Sequence, residues 1–243
     1  MLTESSLASA VVRLAIAQGA EVLLTSPVCR SYRLTARVAP RLGITAPVIE
    51  LDVSLEDDLA NLEAAVHAAG WDRVDGVLHA IGYAPEGVLG SGVASVPWAG
   101  AAETLQASAW SLPALVHAVR PLLPRGASVV GLDFDGTRAW PVYGWMGIAK
   151  AALESAARYL AMELGPDGIR VNLVAAGPIR TMAARGIPGF DEVQGTWGDR
   201  APLGWDTSDA EPVARAVVAL LSDWFPATTG EIVHVDGGVH ALG

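Results

Sequence analysis

Residues 127–153 read ASVVGLDFDGTRAWPVYGWMGIAKAAL. The opening run, Ala127 to Asp133, is short, apolar and β-branched, which reads as a buried strand. A loop with glycine, proline and aromatic residues follows. Gly144 to Leu164 then has the length and apolar spacing of a helix. A strand handing the chain through a loop to a long helix is half of a parallel crossover unit.

The same alternation extends in both directions. Upstream, Leu7, Val11 and Leu14 recur at helical spacing behind Ser5 or Ser6 as a cap, and Gly19 ends that helix. Strands are expected at Ala20–Thr25, Ala46–Leu51 and Val74–Ala80. Helical stretches lie at Tyr32–Leu42, around Leu59, Leu62 and Val66, and from about Ala99 to Val119, kinked near Pro113. Downstream, Ile169–Ala175 and Glu231–Val235 read as strands around a Pro212–Ser222 helix. Six short apolar strands separated by helices predict an α/β fold. It is a doubly wound, mostly parallel, Rossmann-like sheet with helices on both faces, in one domain spanning residues 1–243. Ligands of such folds lie beyond the carboxyl ends of the strands. That selects Thr25, Asp52 and the loops Ala80–Tyr83, Asp133–Asp135 and Gly177–Thr181.

A dinucleotide fold normally opens with a strand and a glycine-rich turn. Here the reading begins on the first crossover helix, so the fold is expected to lack its first strand. An upstream start, with Met1 misassigned, is the expected explanation; a degenerate product is the rival one.

Composition removes several function classes. The chain has 243 residues, 51% of them hydrophobic and 17% charged, with a formal net charge of −10. Disorder is excluded. An acidic chain has no general footprint for nucleic acid or anionic lipid. No apolar run reaches the ~20 residues of a bilayer span, and no secretory leader is evident. Cys29 is the one cysteine, which excludes an internal disulfide and a thiolate metal cluster. His234 and His240 lack a partner set, so no metal site is expected.

One count points to chemistry. Of 16 basic residues only Lys150 is a lysine. A compact ammonium is not interchangeable with a guanidinium. Tyr143 precedes Lys150 by seven residues, about two helical turns, which predicts a shared helix face. A phenol beside an ammonium is a sensible proton donor to a developing oxyanion.

These residues, with His79-Ala80-Ile81-Gly82-Tyr83, Leu51-Asp52-Val53, Gly177-Pro178-Ile179-Arg180-Thr181 and Asp236-Gly237-Gly238, form a specific set. It resembles the NADH-dependent enoyl-[acyl-carrier-protein] reductases of type II fatty acid synthesis, in the actinobacterial, mycobacterial-type branch of the short-chain dehydrogenase/reductase superfamily. Its Tyr-x6-Lys spacing matches that branch, and the likeness runs from Thr3 almost to the end. The resemblance implies reduction of a trans-2-enoyl thioester carried on acyl carrier protein. Tyr143 would meet the thioester carbonyl, Lys150 would bind the nicotinamide ribose, and Phe134 and Met146 would line the substrate pocket. It further implies that NADH is held by Ser6, Leu7, Asp52, Val53, Ile81, Gly82, Ile179 and Thr181. A cytoplasmic homotetramer with its long helices at an interface is implied as well. Local readings of Asp52 and Thr181 as caps stay open beside these roles, as does packing of Ile81 and Ile179 in the core. So does a structural histidine at position 79.

Two features depart from that pattern. The stretch Ser26-Pro27-Val28-Cys29-Arg30 is about two residues longer than usual, making Arg30 a candidate for a 2′-phosphate of NADPH. The segment between Thr181 and Trp205, with Gly186, Pro188, Gly189 and Gly195, is short. It predicts a more open or shorter acyl pocket. A carbonyl reductase of a specialised pathway and a truncated, non-catalytic homologue are the alternative functions.

Overall fold

A computed structural model describes residues 3–27, 30–182, 184, 188–189, 195 and 197–242. It shows a Rossmann-like α/β fold. The elements in order are α1 (Leu7–Ala17), β1 (Thr25–Ser26), α2 (Arg30–Val38), β2 (Ile49–Glu50), α3 (Glu56–Ala60), α4 (Leu62–Ala68) and β3 (Gly76–His79). There follow α5 (Trp98–Leu105), α6 (Ser111–Val119), β4 (Ser128–Asp133), α7 (Trp145–Leu164), β5 (Arg170–Ala176), α8 (Glu211–Leu221) and β6 (Ile232–Val235).

All strand pairs are parallel, as expected. They form two sheets among the described residues, β1-β2 and β3-β4-β5-β6. No strand precedes α1 among those residues. The predicted first two strands shrink to two residues each. β1 has a ladder on one side only, which leaves little to fix the rest of Ala20–Leu24 as strand.

Side chains alternate across the four-stranded sheet, giving it two apolar faces. Val129, Val171 and Leu173 pack with Leu62, Leu112 and Leu153 of α4, α6 and α7. Val130, Val174 and Ala176 pack with Val11 of α1 and Val213 and Val217 of α8. The smaller sheet is attached to the same layers. Ile49 joins the first cluster, while Leu24 packs with Val12 of α1 in a third. Thus α1 spans both sheets on one face, and α4, α6 and α7 cover the other.

Two helical expectations are refined. Ser6 is the cap of α1, its hydroxyl accepting from the Ser9 N–H at 3.2 Å. The Ala99–Val119 helix runs as α5, one π turn over Gln106–Trp110, and α6. Pro113 cannot supply an N–H to the carbonyl four residues back, and the widened turn just upstream absorbs the mismatch.

Candidate active site

β4 ends at Asp133 and points the following loop over the carboxyl edge of the sheet. That loop is fastened to α7. The Gly136 N–H donates to Glu154 Oε1 at 2.7 Å. A Cβ at Gly136 would lie 2.7 Å from the Ala151 backbone nitrogen, so only glycine permits this approach. The anchored loop presents Phe134, whose ring packs on Tyr143, Trp140 and Trp197 with centroids 5.1, 5.2 and 5.7 Å away.

Tyr143 does not share a helix face with Lys150, contrary to the spacing argument. It lies in a turn before α7, which starts at Trp145. Val142 has φ 60° and Gly144 has φ 49°, so two successive reversals flank Tyr143. A β-branched residue at positive φ costs about 1–3 kcal/mol and persists only where its surroundings enforce it. Here the Gly90 N–H donates to the Val142 carbonyl at 2.8 Å. The turn swings the phenol toward Phe134 rather than leaving it on the helix.

Lys150 is buried at 7% exposure, and its Nζ donates to the Leu132 carbonyl at 2.9 Å. Asp133 Oδ1 lies 3.8 Å from the same nitrogen. Neither Asp133 oxygen has a hydrogen-bonding partner among the described residues. Burial pushes the Asp133 carboxyl up to about 7; the Lys150 ammonium opposes this and Glu154 adds to it. Burial also lowers Lys150, while Asp133 and Glu154 raise it. Tyr143 is held well above the ordinary phenol value by burial, with Asp133 adding to the shift, so it keeps its proton at neutral pH.

The raised Asp133 value makes a stability prediction. Between the ordinary carboxylate value of 3.8 and about 7, the unfolded chain releases this proton while the folded protein retains it. The group's contribution to stability is therefore full below that window and falls by ~1.4 kcal/mol per pH unit across it. Asp133→Asn removes the dependence. Thermal melts at about pH 5 and about pH 7.5 should show the variant gaining on the native protein as pH rises. A constant difference between the two melting temperatures would refute the assignment.

All twelve residues expected at the site line one cavity of about 2180 Å³. Ser6 and Leu7 border it from α1, and Asp52 and Val53 from the end of β2. Ile81 and Gly82 follow β3, and Ile179 and Thr181 follow β5. Phe134, Tyr143, Met146 and Lys150 make up the β4–α7 side. Several of the polar groups also have local partners. Asp52 Oδ1 accepts from the Ser54 N–H at 2.9 Å and its hydroxyl at 2.6 Å. Thr181 Oγ1 accepts from the Ala184 N–H at 3.1 Å. Ile179 is buried. His79 is buried, its Nε2 2.8 Å from Ser111 Oγ; burial, aided by the Lys150 charge, pushes it down to about 3, so it is neutral.

The sequence reading did not assign Asp133 or Glu154 to the Lys150 environment. Glu154 stands four residues after Lys150, a same-face spacing that marks it. The side chain of Arg30, and Gly186 within the expected pocket cover, lie outside the described residues. Among the described residues, no three or more of His, Cys, Asp and Glu are placed to hold a metal ion. No described helix is long and apolar enough to cross a membrane.

A family model described as enoyl-(acyl carrier protein) reductase matches residues 1–240. The chain is 43% identical to the enoyl-[acyl-carrier-protein] reductase [NADH] of Mycolicibacterium smegmatis, covering 98% of this chain and 93% of that protein. It is 41% identical to the enzyme of the same description from Mycobacterium avium, covering 98% and 92%. An NADPH-described reductase of Staphylococcus aureus is 35% identical, covering 92% and 88%.

Proposed function

The chain belongs to the enoyl-(acyl carrier protein) reductase family, and on that premise we propose that it reduces the trans-2 double bond of an enoyl thioester on acyl carrier protein, using NADH, in type II fatty acid synthesis. The observation that carries this reading is the single cavity that joins the polar strand-end residues to Phe134, Tyr143, Met146 and Lys150.

The cavity fits the cofactor in outline. Its strand-end residues offer a carboxylate, small hydroxyls, glycine backbone and apolar side chains, the donor set that a dinucleotide needs. When bound, NADH would supply the hydride for the β carbon of the substrate. Asp52 and Val53 would hold the adenine end, where a carboxylate would oppose an additional phosphate. Ser6, Leu7 and Thr181 would hold the pyrophosphate, and Ile81, Gly82 and Ile179 would flank the ribose and nicotinamide. Lys150 has three N–H groups, one of them committed to the Leu132 carbonyl. The other two would be available to hold the nicotinamide ribose hydroxyls. Tyr143, protonated at working pH, donates to the thioester oxygen as negative charge builds there. The α carbon then takes up a proton. Phe134 and Met146 wall the acyl end and exclude water.

A cytoplasmic homotetramer is the assembly this reading carries. Supporting it, α7 exposes Tyr159 and Met162 at 68% and 71%, and α5 exposes Trp98 at 73%. Apolar side chains this exposed on neighbouring helices suit a subunit contact.

Substrate choice tests the function. NADH oxidation should run at least ~100-fold faster with a trans-2-enoyl thioester than with a 3-ketoacyl thioester, judged by kcat/KM. The reverse preference would make the protein a carbonyl reductase.

A further inference from the structure

Behind the aromatic wall of the cavity stands a cluster of ionisable side chains that the reductase reading does not use. Two backbone carbonyls tie it to that wall. The Trp140 indole N–H donates to the Asp135 carbonyl at 2.7 Å, and the Trp197 indole N–H donates to the Asp236 carbonyl at 2.9 Å. The two indoles have centroids 5.0 Å apart, and both pack on Phe134. A shift of Asp135 or Asp236 therefore reaches Phe134 through one indole.

The carboxyl groups of the same two residues each face an imidazole. Asp236 Oδ2 accepts from the His240 N–H at 2.8 Å, and its Oδ1 lies 2.9 Å from His240 Nδ1. Burial by itself raises the Asp236 carboxyl, but hydrogen bonds from His240 and Gly238 outweigh it and hold the group below the usual range. An ionised carboxylate only accepts, so His240 Nδ1 carries the proton. The His240 ring stacks on His234, with centroids 4.0 Å apart and planes 15° apart. His234 Nε2 lies 3.9 Å from Asp135 Oδ1, an ion-pair separation too long for a hydrogen bond. Asp135 Oδ1 accepts from the Thr137 N–H and hydroxyl. Its Oδ2 is buried without a hydrogen-bonding partner among the described residues, 3.5 Å from Arg138 Nε.

Charge decides how the cluster responds. Asp135 and Asp236 are opposed by Arg138, which also donates to the His240 and Leu242 carbonyls. On α7 the ionisable side chain turned to this loop is Glu154, which holds the Gly136 N–H. Ala175, paired with His234 on β5, is uncharged. The surroundings of the two rings are thus net negative and favour one proton on the pair. A second would set two cations against each other through the stack. His240 is already paired through Nδ1, whereas His234 faces the carboxyl with an unmatched oxygen.

We infer that His234 is a positioning residue for the substrate pocket: a proton taken up by its ring draws Asp135 from ion-pair to hydrogen-bonding distance and, through the Trp140 indole, firms the Phe134 wall against the acyl chain. The inference rests on the enoyl thioester reading of that pocket.

Two variants separate the steps. His234→Phe keeps the stacked ring and cannot take a proton; Asp135→Asn keeps an acceptor for Thr137 and removes the charge. The KM for trans-2-octenoyl-coenzyme A is measured at about pH 5.5 and about pH 8, which span the ordinary imidazole range. KM should be lower at the acid end. The ratio of the two values should be at least ~5-fold larger in the native protein than in either variant, with kcat ratios within about twofold. Asp133 also titrates in this window, at about 7, but it is present in all three proteins and cancels in the comparison. A ratio unchanged by His234→Phe would overturn the proposal. A ratio lost in His234→Phe but kept in Asp135→Asn would do so too, since the proton would then act without Asp135. Hydrogen exchange at the Trp140 indole N–H reads the same step without substrate. Its protection factor should be at least ~10-fold higher at about pH 5.5 than at about pH 8, and equal at both in His234→Phe. Equal protection in the native protein would overturn the inference whether or not the thioester is reduced. The expected protection without thioester reduction would support the link from His234 to the wall and count against the reductase reading instead.

Discussion

Tyr143→Phe should lower kcat for the enoyl thioester about 100-fold, while NADH affinity stays within about twofold of the native value. The ring contact with Phe134, at 5.1 Å between centroids, uses the aromatic body and not the hydroxyl. Phenylalanine keeps that contact, so the loss reads the O–H alone. Burial holds the phenol far above neutral pH. The native protein should therefore show no loss of kcat from Tyr143 ionisation across the neutral range. Steady-state kinetics with a parallel NADH titration separates the two effects. If the variant turned over normally, Tyr143 would be a packing residue of the aromatic cluster and the proton would come from elsewhere.

Lys150→Met should act earlier in the cycle. NADH affinity should fall about 10- to 100-fold, equivalent to losing one or two charge-assisted hydrogen bonds. Methionine matches the stem of lysine and fills the same buried path between β4 and α7, but it cannot donate to the Leu132 carbonyl or to a diol. It also leaves Asp133 buried without its cation. That change costs less than an unpaired ionised carboxylate, because Asp133 already titrates near 7 and takes up a proton instead. The variant should thus remain folded and bind NADH poorly. Circular dichroism and a fluorescence titration measure both. Native affinity in a folded variant would remove Lys150 from the cofactor site.

The sheet and its helices were legible because burial on both faces demands continuous apolar strands, and helical spacing is explicit around Leu7 and Leu62. β1 and β2 were legible in place but not in length, since strand length depends on a neighbour and no local pattern reports one. The spacing of Tyr143 and Lys150 pointed to the right pair for an incorrect geometric reason. Seven residues suggest two helical turns, yet Val142 and Gly144 break the helix before it reaches Tyr143. Nothing in the local composition announces a valine at positive φ, because the tertiary bond from Gly90 imposes it. Asp133 was visible as a strand-end residue. Its tie to Lys150 was not, since that contact crosses from strand to helix and depends on how deeply α7 packs. Asp52 and Thr181 had two readings each, and the structure gives both a local hydrogen-bonding partner at the cavity wall. A side chain can do both jobs, and sequence alone does not separate them.

The central claim concerns which atom receives the hydride. The direct measurement is single-turnover reduction of a trans-2-enoyl thioester with NADH carrying deuterium at the transferable position, followed by mass spectrometry of the acyl product. One deuterium at the β carbon, with a solvent-derived hydrogen at the α carbon, is the predicted result. An unreduced enoyl thioester, or deuterium delivered to the carbonyl carbon of a ketone in its place, would contradict it.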